Sequence, residues 1–584
     1  MKHKHLLLPF VVTPLCLAMW GCNDSDNDKT VEQKTLPVLT AAQPASIKSC
    51  EDLAEQFKFN ETYITGATTV AAGEVSAGFN APAHCLITGY MNPRKGRGVD
   101  DKGNIIEDAD YQIGFEMRLP VDWNGRFYYQ ANGGMDGSVV PATGNFMTPN
   151  GSDATALHKG FAVISSDAGH SAAHGAAFGL DPQARRDYGY NAVAELTPMA
   201  KSLIEAAYGK APDRSYFGGC SNGGRHTMVA ATRYADLYDG FLVGDPGFHL
   251  PQAAVSQVLG IQKFLTLLDN VDESNVEGSL ATAINRQELG AVSKAVLQQC
   301  DALDGAADGM VNAIEACQVA FDLQRDVPTC SGERDGTCLT TAQKDVLADF
   351  MAGPHNSAGE ALYTNMQYDA GLGTNNVMAW FYGAAFHLSV PSVSSVFTTP
   401  PTWLNGTTAE LYDYVTHFSA DTDAATIYAE DGDYTEASMT FMPPVDPSDM
   451  GTLRDRGAKL IAVHGTSDPV FYAQDTINWY NDLQKANTNE AGEFARLYLV
   501  PGMNHCGYGP ATDKFDALDK LVTWVEEGKA PEEIVASARE NNAELPADWS
   551  TTRTRPLCPY PEIATYNGTG SIEDAASFSC KAAE

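Results

Sequence analysis

Ser215-Tyr216-Phe217-Gly218-Gly219-Cys220-Ser221-Asn222-Gly223-Gly224-Arg225 is the stretch that decides how this chain is read. Residues 215–219 read as a short strand and about 223–234 as a helix. Between them stands Gly219-Cys220-Ser221-Asn222-Gly223, the one GxSxG motif in the chain. The chain carries 52 glycines among its 584 residues, so the spacing alone is a weak signal. Its context carries more weight. A strand before it and a helix after it are what a strained turn needs to lift a serine hydroxyl above a sheet. The flanking glycines allow the turn, and the helix N-terminus aims the Asn222 amide at developing negative charge.

A serine hydroxyl is a weak nucleophile until a base, itself held by a carboxylate, takes its proton. Downstream, a buried-strand pattern at 460–464 runs into His464-Gly465-Thr466-Ser467-Asp468, and another at 497–500 runs into Pro501-Gly502-Met503-Asn504-His505-Cys506. Asp468 and His505 therefore sit in loops at the C-terminal ends of successive strands, in the order Ser, Asp, His. Of the 13 histidines, His464 is the nearest rival, but it precedes the acid; His170 and His174 lie upstream of Ser221. Further strand patterns fall at 111–119, 126–132, 161–167 and 241–245, and helical spacing at 191–208 and 514–527. Strand–helix alternation flanks a long stretch, 249–450, in which both signals lapse. The pattern predicts one doubly wound α/β domain, 50–248 and 451–584, with a lid inserted at 249–450.

The N-terminus reads as an export signal. A short basic segment precedes 15 apolar residues, 6–20, too few to span a membrane and enough for a secretory core. The signal ends at Gly21-Cys22, and 23–49 reads as a polar tether. Residues 1–22 are similar to a bacterial lipoprotein signal, which implies a lipid anchor at Cys22 and a periplasmic, outer-membrane or cell-surface location; plain secretion is the alternative. Beyond Cys16 and Cys22, ten cysteines remain, an even set that suits five disulfides in an oxidising compartment. Nearest-neighbour pairing joins Cys50 to Cys85, Cys300 to Cys317, Cys330 to Cys338 and Cys558 to Cys580. Cys220 and Cys506 are left for each other, which would staple the serine turn to the histidine loop.

Composition excludes other classes. A hydrophobic fraction of 44% supports a sizeable core, and a net charge of -36 repels phosphate backbones, so no nucleic-acid partner is expected. Asp301, Asp304 and Asp308 crowd three carboxylates into eight residues. Such a loop repels itself unless a cation compensates, and hard oxygen ligands select calcium over zinc.

The Cys-Ser elbow, the acid after the penultimate strand and the His-Cys loop resemble the tannase and feruloyl esterase family. The resemblance covers most of the chain from about Cys50. It implies an α/β-hydrolase fold with a large lid, a Ser221–His505–Asp468 mechanism, no organic cofactor and small ester substrates built on aromatic acids. It also implies that Asn132-Gly133-Gly134-Met135-Asp136-Gly137 gives a second oxyanion amide, from Gly133 or Gly134, beside that of Asn222. A structural calcium would be held by the side chains of Asp301, Asp304 and Asp308 and the carbonyls of Ala306 and Met310. Among the lid aromatics and those near the acid loop, Trp380 and Phe471 are the expected pocket walls. Between Lys344 and Arg454 there is no Lys or Arg. Feruloyl or galloyl esters therefore rank above terephthalate monoesters, whose free carboxylate calls for a cation. A catalytically inactive surface binding lipoprotein is the rival from another class, and a broken triad would mark it.

Overall fold

The computed structural model describes residues 36–76, 79–147 and 155–583. The signal segment 1–22, Cys22 and the first part of the tether lie outside the described residues.

Nine strands form the central sheet: β1 (Thr62–Val70), β2 (His84–Val99), β3 (Ile105–Pro120), β4 (Arg126–Gln130), β5 (Ala162–Ser166), β6 (Arg214–Cys220), β7 (Gly240–Gly244), β8 (Lys459–Gly465) and β9 (Ala495–Val500). Their spatial order is β9-β8-β7-β6-β4-β5-β3-β2-β1. The six strands from β9 to β5 run parallel, and β3, β2 and β1 continue the sheet antiparallel. β7 and β8 are buried along their whole length, as expected where helices cover both faces of a parallel sheet. Alternation then sorts their side chains. Phe241, Val243, Leu460 and Ala462 enter one apolar cluster, while Leu242, Ile461 and Val463 enter the other.

Helix α1 (Ala192–Tyr208) covers the first face with Leu196, Met199, Ala200 and Leu203, the i, i+3, i+4, i+7 stripe of an amphipathic helix. The helix at Ala517–Glu527 covers the second with Leu518, Leu521, Trp524 and Val525. A third helix, Asn222–Arg233, starts directly after Ser221 and packs against β6 and β7.

One expectation needs correction. The tether was expected to run to residue 49, but 36–49 lie on the core. Ala45–Ser46 pairs antiparallel with Asp122–Trp123, Gln43 N donates to Asp213 at 2.7 Å, and Ala42 N donates to Glu526 at 3.0 Å. Backbone bonds, which every sequence can make, hold the segment together with the scattered side chains of Leu36, Leu39, Ala45 and Ile47, which pack on the core without a periodic pattern. The stretch 249–450 is also well structured. It contains helices at Leu250–Leu265, Arg286–Cys300 and Thr341–Met351, and a widened π-type helix at Ala379–Ser389. Between β2 and β3, a 16-residue strand on each side makes a long hairpin of which the sequence pattern showed only the end.

All five expected disulfides form: four join nearest neighbours, and the remaining pair, Cys220 and Cys506, bonds across 286 residues.

Candidate active site

Ser221 sits between β6 and the following helix with φ 67° and ψ −128°, a conformation that costs a non-glycine residue about 1–3 kcal/mol. Gly219 and Gly223 make it possible. A Cβ at either would stand 2.5 Å from the Ala131 carbonyl oxygen, so only glycine lets the turn close on β4. Ser221 N donates to Gly244 O at 3.0 Å and fixes the turn from the other side.

The three residues separated in sequence meet here. His505 Nε2 lies 2.8 Å from Ser221 Oγ, and His505 Nδ1 lies 2.8 Å from Asp468 Oδ2. Asp468 is buried, and its other oxygen accepts from the amides of Val470 (2.7 Å) and Phe471 (3.2 Å). Burial alone would raise its pKa, but His505 and His464 overcome that and hold it at about 2. Asp468 is therefore ionised at any working pH and keeps a proton on His505 Nδ1, leaving Nε2 to accept from the serine.

Sequence reasoning missed the second layer. His464 is fully buried behind the acid, its Nε2 donating to Phe471 O at 2.8 Å and standing 3.4 Å from Asp468 Oδ2. Asp245, at the end of β7, accepts from Gly465 N at 2.7 Å and from Cys506 N at 3.2 Å, so one carboxylate ties the acid loop to the histidine loop. Asp369 repeats this from the lid, accepting from Ser467 Oγ at 2.7 Å and Gly502 N at 3.0 Å. A carboxylate just past a buried strand was a signal for Asp245; nothing in the sequence joined Asp369 to these loops.

Of the candidate oxyanion donors, Gly134 and Asn222 line the same cavity as Ser221, and a Cβ on Gly133 would lie 3.8 Å from Ser221 Cβ. The loop is held by Asp136. Asn222 Nδ2 donates to its Oδ2 at 2.8 Å, and His226 Nε2 lies 2.8 Å from the same atom. Burial pushes Asp136 up to about 8 against the opposing pull of Arg225 and Asn222, and pushes His226 well down. Both shifts favour the neutral forms of the two groups.

The cavity in front of Ser221 has a volume of about 480 Å³. Trp380 and Phe471 both form its wall and both present edges to His505, with ring centroids 5.1 and 5.4 Å away. Phe397, Tyr188, Leu250 and Val470 extend the apolar lining; sequence spacing gave no reason to choose them over other buried residues. Phe381, Tyr382 and Phe386, also lid aromatics, are packed into the core instead. No Lys, Arg, Asp or Glu lines this cavity among the described residues.

The acidic loop lies elsewhere, closed by Cys300–Cys317. Asp301 Oδ1 accepts from the amides of Asp308 and Gly309 (2.9 Å each), Asp304 Oδ1 from Ala306 N (3.0 Å), and Asp308 Oδ1 from Met310 N (3.1 Å). Arg555 pairs with Asp308, and Arg553 donates to the Asp308 carbonyl at 2.6 Å while pairing with Glu573. Three carboxylates against the one unshared guanidinium of Arg555 leave a charge of two to be met. Asn312 Nδ2 also donates to Asp304 Oδ2 at 2.6 Å, and the three carboxylates do not converge tightly on one point; the all-oxygen donor set is of the kind calcium takes.

Residues 101–581 match the family model described as tannase and feruloyl esterase. The chain is 38% identical over 552 residues to mono(2-hydroxyethyl) terephthalate hydrolase of Piscinibacter sakaiensis, covering 88% of this chain and 87% of that protein. It is 27% identical over 486 residues to feruloyl esterase C of Talaromyces stipitatus, covering 80% and 83%. The crystal structure of feruloyl esterase B from Aspergillus oryzae superposes with a TM-score of 0.72 at 23% identity, over 91% of this chain and 99% of that one, and shares its fold.

Proposed function

The chain belongs to the tannase and feruloyl esterase family, and from that premise we propose that it is an exported serine carboxylesterase acting on esters of aromatic acids. The observation that carries the proposal is the unbroken line of contacts from Ser221 Oγ through His505 to Asp468, opening onto an apolar cavity. Ser221 Oγ attacks the ester carbonyl carbon and passes its proton to His505 Nε2, while Asp468 stabilises the imidazolium. The amides of Asn222 and of Gly133 or Gly134 hold the oxyanion. Collapse expels the alcohol, which takes the proton from His505. A water activated by the same histidine then attacks the acyl-enzyme and releases the acid.

Flat walls at Trp380, Phe471 and Phe397 support a planar acyl group, and the absence of a cation in the lining favours a neutral one. Feruloyl or galloyl esters therefore rank first. Terephthalate-monoester hydrolysis is the second reading, favoured by the 38% identical relative. Comparing kcat/KM on methyl ferulate, methyl gallate and mono(2-hydroxyethyl) terephthalate tests the order. A tenfold advantage for the last would reverse it and would mean about 1.4 kcal/mol of transition-state preference.

Two further parts of the proposal concern a metal and a membrane anchor. Calcium at Asp301, Asp304, Asp308, Ala306 and Met310 is supported by the charge balance of the loop and would be structural. Export with a lipid at Cys22 is supported by the sequence of residues 1–22; no helix among the described residues is long and apolar enough to cross a membrane. Intact-mass analysis of the mature N-terminus would settle the anchor.

A further inference from the structure

The polar groups of the acyl cavity are unevenly distributed. Leu250, Ala254 and Gln257 line it from one face of the helix Leu250–Leu265, at i, i+4 and i+7. Gly247 N donates to Ser221 O at 3.4 Å, so the chain enters this helix beside the nucleophile. Gln257 then stands about 10 Å further along the axis than Leu250. The π-type helix Ala379–Ser389 is arranged the same way, with Trp380 against His505 and Ser389 at its other end. The two far ends meet, since Ser389 Oγ donates to Gln257 Oε1. Gln257 Nε2 in turn donates to Val470 O at 3.1 Å.

Both residues are buried, at 8% and 7% exposure, in a wall that is otherwise apolar apart from Ser392 and the groups around Ser221. The pair has hydrogen-bonding capacity to spare. An amide carries two N–H groups and Gln257 spends one on Val470; the Ser389 hydroxyl donates but keeps lone pairs to accept with. A donor and an acceptor side by side match a hydroxyl, which both accepts and donates. A carboxylate could take the N–H but would bring a charge with no cation to meet it.

From this arrangement we infer that Gln257 and Ser389 are the specificity-determining residues for the acyl group, reading a phenolic hydroxyl at the end of the ring remote from the ester. This inference rests on the aromatic-esterase reading above and narrows it. A pocket built to bond a hydroxyl penalises the analogue lacking it, because its own polar groups are left unpaired.

The test is the ratio of kcat/KM for methyl 4-hydroxycinnamate over methyl cinnamate, in wild type and in Ser389→Ala and Gln257→Leu. Active sites are titrated with a phosphonate, so that misfolded protein does not count. The expected wild-type ratio is at least tenfold, falling to within threefold of one in each variant through loss on the hydroxylated ester. A wild-type ratio near one, or a ratio unchanged in both variants at full titration, overturns the inference while leaving the esterase reading intact. Failure of wild type to hydrolyse either ester overturns the aromatic-esterase reading, and this inference with it.

Discussion

Cys220 and Cys506 are joined with their Cα atoms 6.0 Å apart, so the residue before the serine is bonded to the residue after the histidine. The disulfide closes a separation of 286 residues, for which chain entropy gives about 5–6 kcal/mol, an upper figure because four other disulfides already restrict the unfolded chain. Replacing both cysteines by alanine is expected to lower stability by several kcal/mol on denaturant titration and to reduce kcat at least tenfold. Peptide mapping that finds either thiol free in active, oxidised protein contradicts the staple.

Asp468→Asn keeps the shape of the acid but removes the charge that orients His505. A fall in kcat of roughly 10³–10⁴ is expected, with KM changed little. Its stability signature has a definite sign. A carboxylate held at about 2, below its ordinary 3.8, contributes stability that is fully present above about pH 4 and is lost as the pH falls through about 2. The asparagine variant should therefore lack the share of the wild type's stability loss across that window that comes from Asp468. Parallel acid denaturation curves for the two proteins would contradict the ion-pair network around Asp468.

Asp136→Ala should lower kcat by at least tenfold and leave KM nearly unchanged, because Asp136 positions Asn222 and the glycine loop rather than touching substrate. A rise in KM alone would assign the residue to substrate binding instead.

Trp380→Ala and Phe471→Ala are each expected to cost about tenfold in kcat/KM for methyl ferulate, and less for p-nitrophenyl acetate, which has no ring in its acyl group. Equal losses on both substrates would mean that the rings act on His505 alone.

Excess chelator should lower Tm by several degrees and added calcium at about 10⁻⁴–10⁻³ M should restore it, with the low-temperature activity retained. An unchanged melting curve, with no metal found by mass analysis, would mean that Arg555, Asn312 and the loop amides compensate the three carboxylates without a cation.

The core and the site geometry were legible to different degrees, for physical reasons. Strands β7 and β8 announce themselves because burial on both faces demands apolar runs, and residues just past the ends of β6, β8 and β9 carry the chemistry. The paired cysteines beside Ser221 and His505 gave a distance constraint that no periodicity supplies. Part of the lid was opaque because its helix at Ala379–Ser389 is widened, so the 3.6-residue repeat breaks there. The docking of 36–49 uses backbone groups and a few scattered apolar side chains, Leu36, Leu39, Ala45 and Ile47, which form no periodic pattern. Asp245, Asp369 and His464 act through contacts made only when distant loops converge, and Gln257 and Ser389 read as ordinary helical polar residues until the two helices meet.

The most direct test of the central claim is mass spectrometry of protein treated with an aromatic phosphonate ester. The account predicts one adduct per chain, located on Ser221, with no labelling and no turnover in Ser221→Ala. An adduct on another residue, or labelling of the alanine variant at the wild-type rate, would contradict it.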